Sequence, residues 1–277
     1  MNEASTGPLL EIHGLTVRFG GLVAINELDL SIAEGEIFAL VGPNGAGKTT
    51  VLNCISGLIK PAAGSIRFAG QELLLQPAYK RASLGIGRTF QQLQLFTSMS
   101  VIDNLLTAQH TQLHASLLSG SLPFGPSKRA DARARECAHA TLALLGLEAY
   151  AHRTAGSLPF GVQKLIGVAR ALVLHPRLVL LDEPAAGVPP QEVDELASNL
   201  RSWRAELGTT LLLIEHNMRI VQTVADRVYV LDYGSKMAEG TPEDALSNPA
   251  VLEAYLGRGA SKKVTVEDYQ GVSHVES

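Results

Sequence analysis

The sequence predicts an α/β fold: a mixed central sheet, with an N-terminal antiparallel β subdomain and an inserted helical subdomain. Three observations predict it. Ile37-Phe38-Ala39-Leu40-Val41 and Leu178-Val179-Leu180-Leu181 are unbroken apolar runs that give way to glycine or acidic residues, as strands buried on both faces do. Ahead of the first lie strand-like runs punctuated by Gly20-Gly21 and Glu34-Gly35. Between Leu95 and Leu174 the pattern turns helical.

Taken in order, Leu9 to Phe19 reads as a strand pair, Gly20-Gly21 as a turn, and Leu28 to Ile32 as a further short strand. The run from Ile37 to Val41 leads into Gly42-Pro43-Asn44-Gly45-Ala46-Gly47-Lys48-Thr49-Thr50, and Thr50 to Leu58 reads as a helix. Strands follow at Ser65 to Phe68 and at a segment closing on Gly85 to Gln91. Val101 to Thr111 is a helix with Asp103 in its first turn, Leu113 to Pro126 an irregular crossing, and Lys128 to Leu145 a helix ending at Gly146. Lys164 to Leu174 is the next helix, and Gln191 to Leu207 another, stopped by Gly208. Thr210 to Ile214 is a buried strand, and Arg227 to Leu231 with Lys236 to Glu239 a strand and hairpin around Gly234. Pro242 opens a short helix and Val251 to Leu256 forms a last one. Beyond Gly257 the chain is polar and mixed in charge, the composition of a loosely ordered tail.

A chain of 277 residues can bury a large core. Its net charge of -4 gives no support to nucleic-acid binding through a broad basic face. Met1 to Ser5 carries no basic segment followed by an apolar run, so no secretory signal is expected, and no apolar stretch approaches the roughly 18 residues that cross a bilayer. Two cysteines, Cys54 and Cys137, without metal-like spacing fit a reducing compartment.

The chemistry gathers at strand ends. Gly42, Gly45 and Gly47 let successive amides turn round a polyphosphate at the positive end of a helix. Asn44 and Ala46 complete that loop, Lys48 can reach terminal phosphates, and Thr49, followed by Thr50, can offer its hydroxyl to magnesium. The alternative is a glycine-rich turn that binds nothing. Asp182 is placed to hold magnesium through water and Glu183 to polarise an attacking water, where otherwise an acid pair ending a strand is a solvated turn. His216, ending a neighbouring strand, can donate to a γ-phosphate and fix Glu183 against it. Gln91 can give its carbonyl to magnesium and its amide to water, or be an ordinary solvent-facing glutamine. Phe19 can stack on an adenine ring or fill the core.

Together these residues resemble an ABC-type ATPase, a P-loop NTPase, over roughly Leu9 to Gly257. The resemblance assigns Phe19 to the adenine-stacking position, Gly42 to Thr49 to the Walker A loop, Gln91 to the Q-loop, Leu178 to Glu183 to Walker B and His216 to the switch histidine. Leu158-Pro159-Phe160-Gly161-Val162 takes the signature position, which in such a pair faces the nucleotide of the other chain. Gly87-Arg88-Thr89-Phe90-Gln91, Asp182-Glu183-Pro184-Ala185-Ala186-Gly187 and Ile214-Glu215-His216-Asn217-Met218 resemble the ATP-binding subunits of branched-chain amino-acid importers, the LivG-like family.

That resemblance implies ATP and Mg2+ as ligands, membrane permeases and a second, distinct ABC ATPase as partners, a periplasmic binding protein acting indirectly, and no nucleic acid. It implies a peripheral place on the cytoplasmic face of the inner membrane. It implies an ATPase domain over 9–257 with a helical subdomain near 95–174, followed by a tail over 258–277. Two departures stand out. The usual Leu-Ser-Gly-Gly-Gln signature is altered at Pro159, Phe160 and Val162, and Pro189 stands where the D-loop commonly has Asp or Asn. Urea, amides or aromatic acids are alternative cargoes. A soluble protein acting on nucleic acid or ribosomes is a second class, opposed by the single cassette and acidic balance. A non-hydrolysing nucleotide-binding regulator is a third, opposed by Glu183 and His216.

Overall fold

The computed structural model describes residues 7–89, 94–113 and 126–256. Gln91, the crossing expected between Leu113 and Pro126, and the C-terminal tail lie wholly or largely outside the described residues.

The first strands are β1, Leu10–Phe19, and β2, Leu22–Ile32, followed by β3, Ile37–Val41. The phosphate-loop candidate leads into α1, Lys48–Ile55, then β4, Ala63–Phe68, β5, Gln71–Glu72, and β6, Ile86–Arg88. Three helices come next: α2, Val101–Leu113, α3, Pro126–Leu144, and α4, Phe160–Leu172. Strand β7, Leu178–Asp182, helix α5, Val193–Leu207, strand β8, Thr210–Ile214, and helix α6, Met218–Val224, follow. The described chain closes with β9, Arg227–Asp232, β10, Ser235–Gly240, α7, Pro242–Leu246, and α8, Pro249–Leu256.

Two sheets result. The smaller is antiparallel, in the order β2-β1-β4-β5; the larger is mixed, in the order β10-β9-β3-β8-β7-β6, parallel except where β10 turns back on β9. Strands β3, β7 and β8 are buried at every position, so neither face shows the alternation of a half-exposed strand. One face, with Phe38, Leu180 and Leu212, packs with α1 and the antiparallel sheet; the other, with Val179, Leu181 and Leu213, packs on α4, α5 and α6.

Helix α4 is apolar on two sides. Val168 and Leu172 join the central sheet, while Ile166, Ala169 and Val173 join α2 and α3 in a separate helical core. It thereby fixes the three-helix cluster to the sheet. Helix α2 is capped by Ser100, whose hydroxyl accepts from the Asp103 amide at 3.2 Å and donates to its carboxylate at 2.6 Å. Among the described residues no helix is long and apolar enough to cross a membrane.

Three local expectations are corrected. Leu9 to Phe19 is one bulged strand with β2 as its partner, because Gly14, at φ 57°, shifts the register between Ile12 and Leu15 without ending the strand. The strand expected at Leu28 to Ile32 is the end of the longer β2. Helix α4 begins at Phe160, four residues before the expected Lys164, since Gly161 in a first turn need not break a helix.

Candidate functional site

The phosphate-loop candidate lies where β3 feeds α1. Gly42 has φ 150°, and a side-chain carbon there would meet the backbone oxygen of Leu231 at 2.0 Å. At Gly47, φ 105°, it would meet Ile25 Cδ1 at 2.6 Å and the Ala24 oxygen at 2.8 Å. These contacts leave room only for glycine. The Gly234 amide donates to the Ala46 carbonyl at 2.9 Å, tying the loop to the β9–β10 turn. Gly47 is the cap residue of α1 and gives it no side-chain hydrogen bond, so the first-turn amides and the positive end of the helix are left for an anion. Asn44, Gly45 and Thr49 are exposed, and Thr50 is half-buried.

Lys48 is buried, and its Nζ donates to the carbonyls of Gly42 at 2.6 Å and Pro43 at 2.9 Å. Burial pushes its pKa down, while Glu183 and Asp182 push back. Both acids stand at the end of β7, beside the β8 end that carries His216. Asp182 is buried, with Oδ2 3.5 Å from the Arg88 guanidinium. Burial raises its pKa, the Arg88 cation opposes that rise, and the neighbouring Glu183 adds to it. Arg88 also donates to the Ser56 hydroxyl at 2.8 Å, joining β6 to the segment just after α1.

Glu183 has φ 51°, and its amide donates to the Ile214 carbonyl at 3.0 Å. From there its Oε1 lies 2.7 Å from His216 Nε2. An acid and an imidazole are thus paired at the parallel strand ends where Lys48 also reaches, the side on which open α/β sheets bind ligands. Phe19 ends β1 with its ring 49% exposed, opposite Leu22, itself exposed. The core reading of Phe19 therefore falls.

Leu158 is buried, whereas Pro159, Phe160 and Gly161 are exposed at the start of α4. Val162 is half-buried and packs on the helical core. Gln91 lies outside the described residues.

Magnesium would be held by the Thr49 hydroxyl and the Asp182 carboxylate, and would supply positive charge against that of a bound polyphosphate. The donor set fits: one carboxylate, one hydroxyl and a phosphate cradle make the partly hydrated oxygen site that this ion uses. Among the described residues no cluster of three or more His, Cys, Asp or Glu could hold a metal without such help.

The sequence reading assigned no role to three side chains at this site. Arg88 faces Asp182. Lys164 on α4 donates to the Ala186 carbonyl in the turn after Glu183. Glu215 is buried; its Oε1 accepts from the Ala185 amide at 2.6 Å, and its Oε2 accepts from the amides of His216 at 3.0 Å and Asn217 at 3.2 Å. Burial raises the Glu215 pKa and those three amides hold it down. Only its place beside His216 hinted at it, because a fully buried strand such as β8 offers no alternation to show which way the next residue turns.

Comparison with known proteins agrees with this geometry. The family model described as ABC transporter matches residues 25–186, and that described as branched-chain amino acid ATP-binding cassette transporter matches residues 235–261. The chain is 46% identical to the high-affinity branched-chain amino acid transport ATP-binding protein LivG of Salmonella typhimurium, over 90% of this chain and 98% of that protein. It is 43% identical to BraF of Pseudomonas aeruginosa, with the same name and coverage. A crystal structure of an ABC transporter's ATP-binding cassette in its ADP conformation superposes with a TM-score of 0.78 at 31% identity, covering 91% of this chain and 100% of that one. A nucleotide-free cassette gives 0.77 at 30% identity, covering 90% and 99%. With its phosphate loop, its acids and its paired histidine on the strand ends of this same fold, the chain belongs to the ABC transporter family, among the LivG-like ATP-binding subunits.

Proposed function

We propose that the chain hydrolyses ATP to power import of branched-chain or related small amino acids through membrane permeases. The observation that carries this reading is the Glu183–His216 pair, 2.7 Å apart on neighbouring strand ends, on the side where Lys48 and Asp182 also stand. Lys48 and the loop amides hold the β- and γ-phosphates, Thr49, Asp182 and Gln91 hold magnesium, and Phe19 stacks on adenine. Glu183 takes the proton of the attacking water, and His216 holds the acid and the γ-phosphate in register. The ATPase domain spans 9–257, with its helical part near 95–174. The chain acts at the cytoplasmic face of the membrane beside a distinct second ATPase, with the cargo delivered by a periplasmic binding protein.

The exposed Pro159, Phe160 and Gly161 at the start of α4 favour an asymmetric pair. This chain's own acids serve one nucleotide, while its altered signature gives the partner's nucleotide a weaker contact. Both parts are tested in the assembled transporter in lipid. Stimulation of ATPase by one loaded binding protein is expected to name the cargo, and Glu183→Gln is expected to end hydrolysis at its own site while leaving nucleotide binding. Equal losses on inactivating Glu183 and the partner's corresponding acid, one at a time, would remove the asymmetry. Flat activity with every loaded binding protein would overturn the importer reading.

A further inference from the structure

Helices, strands and loops place one carboxylate where it serves two catalytic turns at once. We propose that Glu215 is a positioning residue for hydrolysis: by accepting from Ala185 on one side and from His216 and Asn217 on the other, it locks the turn carrying Glu183 to the turn carrying His216. This rests on the reading of Glu183 as the base.

The geometry explains why an acid is used. Three amide donors converge on the two oxygens of one side chain that is 2% exposed. Only a carboxylate accepts on both ends; a glutamine presents an NH2 group to at least one of those amides. Besides the Glu215 bond to Ala185, the Glu183–His216 contact joins the two turns, and its partners are 20% and 40% exposed. Such a partly solvated contact is weak by itself. The buried carboxylate beneath it sets the separation of the two backbones, so that the 2.7 Å contact forms without a search. Other charges face the same place. Lys164 comes from α4, its ammonium within the fields of both Glu215 and Glu183, and donates to Ala186. Arg88 and Asp182 are paired on the far side of Glu183. Lys164 is bonded to the turn's carbonyl and Arg88 pairs with Asp182.

Both Glu215 oxygens are engaged by backbone amides, so it acts on turnover and leaves nucleotide affinity alone. The test is steady-state ATPase and binding of a fluorescent ATP analogue by the full chain in its transporter complex, comparing wild type, Glu215→Gln, Glu215→Asp, His216→Ala and the double variant Glu215→Gln/His216→Ala. Loss of a buried charged hydrogen bond predicts a fall in kcat of about tenfold or more for Glu215→Gln, with KM for ATP within about twofold. Glu215→Asp keeps the charge and loses reach, so it holds one turn only and also lowers kcat. Because Glu215 works through the histidine turn, the double variant is expected to be no slower than His216→Ala alone. Unchanged kcat in Glu215→Gln would overturn the proposal. So would a loss that multiplies with that of His216→Ala, or one in which affinity and thermal midpoint fall together, since those are the marks of a merely structural acid. If Glu183→Gln keeps its turnover while Glu215→Gln loses it, the base assignment fails and the positioning role stands on His216.

Discussion

The glycines of the phosphate loop are not equivalent, and a graded alanine series measures how far each is confined. At Gly45, φ 79°, a side-chain carbon meets nothing within 4 Å. Gly45→Ala therefore costs only the left-handed backbone, about 1–2 kcal/mol, less about 0.4–1 kcal/mol from a stiffer unfolded chain. At Gly47 the added carbon also overlaps Ile25 Cδ1 at 2.6 Å, the movable end of a side chain, and the fixed Ala24 oxygen at 2.8 Å. At Gly42 it lies 2.0 Å from the backbone oxygen of Leu231, which belongs to a strand paired directly with β3 through Val41 and Val230. Relief there must move the loop or the sheet, so strain and overpacking together come to about 2–5 kcal/mol. At about 2–4 °C per kcal/mol, Gly42→Ala is expected to melt about 4–20 °C lower, Gly47→Ala less, and Gly45→Ala within a few degrees of the parent. Thermal melts of the three variants give the order directly. Gly42→Ala melting alongside Gly45→Ala would show that the loop is not pressed against β9 and would refute the reasoning.

Phe19→Ala is expected to weaken ATP binding about two- to tenfold and Phe19→Trp to preserve it, read by titration with a fluorescent ATP analogue; equal affinity in both would take the ring out of the site. Arg88→Leu strands the buried Asp182, at a cost of about 3–5 kcal/mol. It also raises an already raised carboxyl pKa, so the loss of Mg2+-dependent ATPase on acidification should begin at higher pH than in the parent, and superimposable pH profiles would sink the idea. Burial pushes the Cys54 thiol up from 9.0 to about 11. Above pH 9 the unfolded chain releases that proton first, so about 2–3 kcal/mol of stability should drain away as pH rises through 11. Urea unfolding at pH 8 and pH 11 should show a smaller loss in Cys54→Ala, and equal losses would argue against it.

The parts of the site that could be read from the sequence are those whose geometry is local. The phosphate loop needs only a strand, three glycines and a helix in succession, and each is written in adjacent residues. Asp182 and Glu183 were legible because four apolar residues precede them. What could not be read comes from distant segments. Arg88 meets Asp182 across β6 and β7, and Glu215 meets Ala185 across β7 and β8; either pairing follows from sheet order, which no short stretch encodes. The misplaced start of α4 has a local cause. Gly161 falls in the first turn, where amides have no intrahelical partner to lose, and Pro159 sits outside as the cap residue. Helix α6 has only seven residues and is started by Asn217, whose side chain accepts from the amides of Arg219 and Ile220. So short a helix carries too few apolar repeats to announce itself.

Glu183 shows most sharply how function sets backbone here. It is a non-glycine residue at φ 51°, a conformation that costs a side-chain-bearing residue about 1–2 kcal/mol. Its neighbours hold it there: its amide donates to Ile214 and its carbonyl accepts from Ala186. The gain is direction. A strand that continued past Asp182 would carry the next side chain on along the sheet, whereas the left-handed step delivers the carboxylate to His216. A glycine would occupy the position without strain, so Glu183→Gly removes strain of about 1–2 kcal/mol and gives back about 0.4–1 kcal/mol through a freer unfolded chain. The partly exposed contact with His216 adds at most about 1 kcal/mol to the loss. The terms nearly cancel, and the thermal midpoint should stay within about 6 °C of the parent while hydrolysis at this site ends. A much larger fall would mean that Glu183 is kept for stability and that its strained backbone does not serve the proposed activation of water.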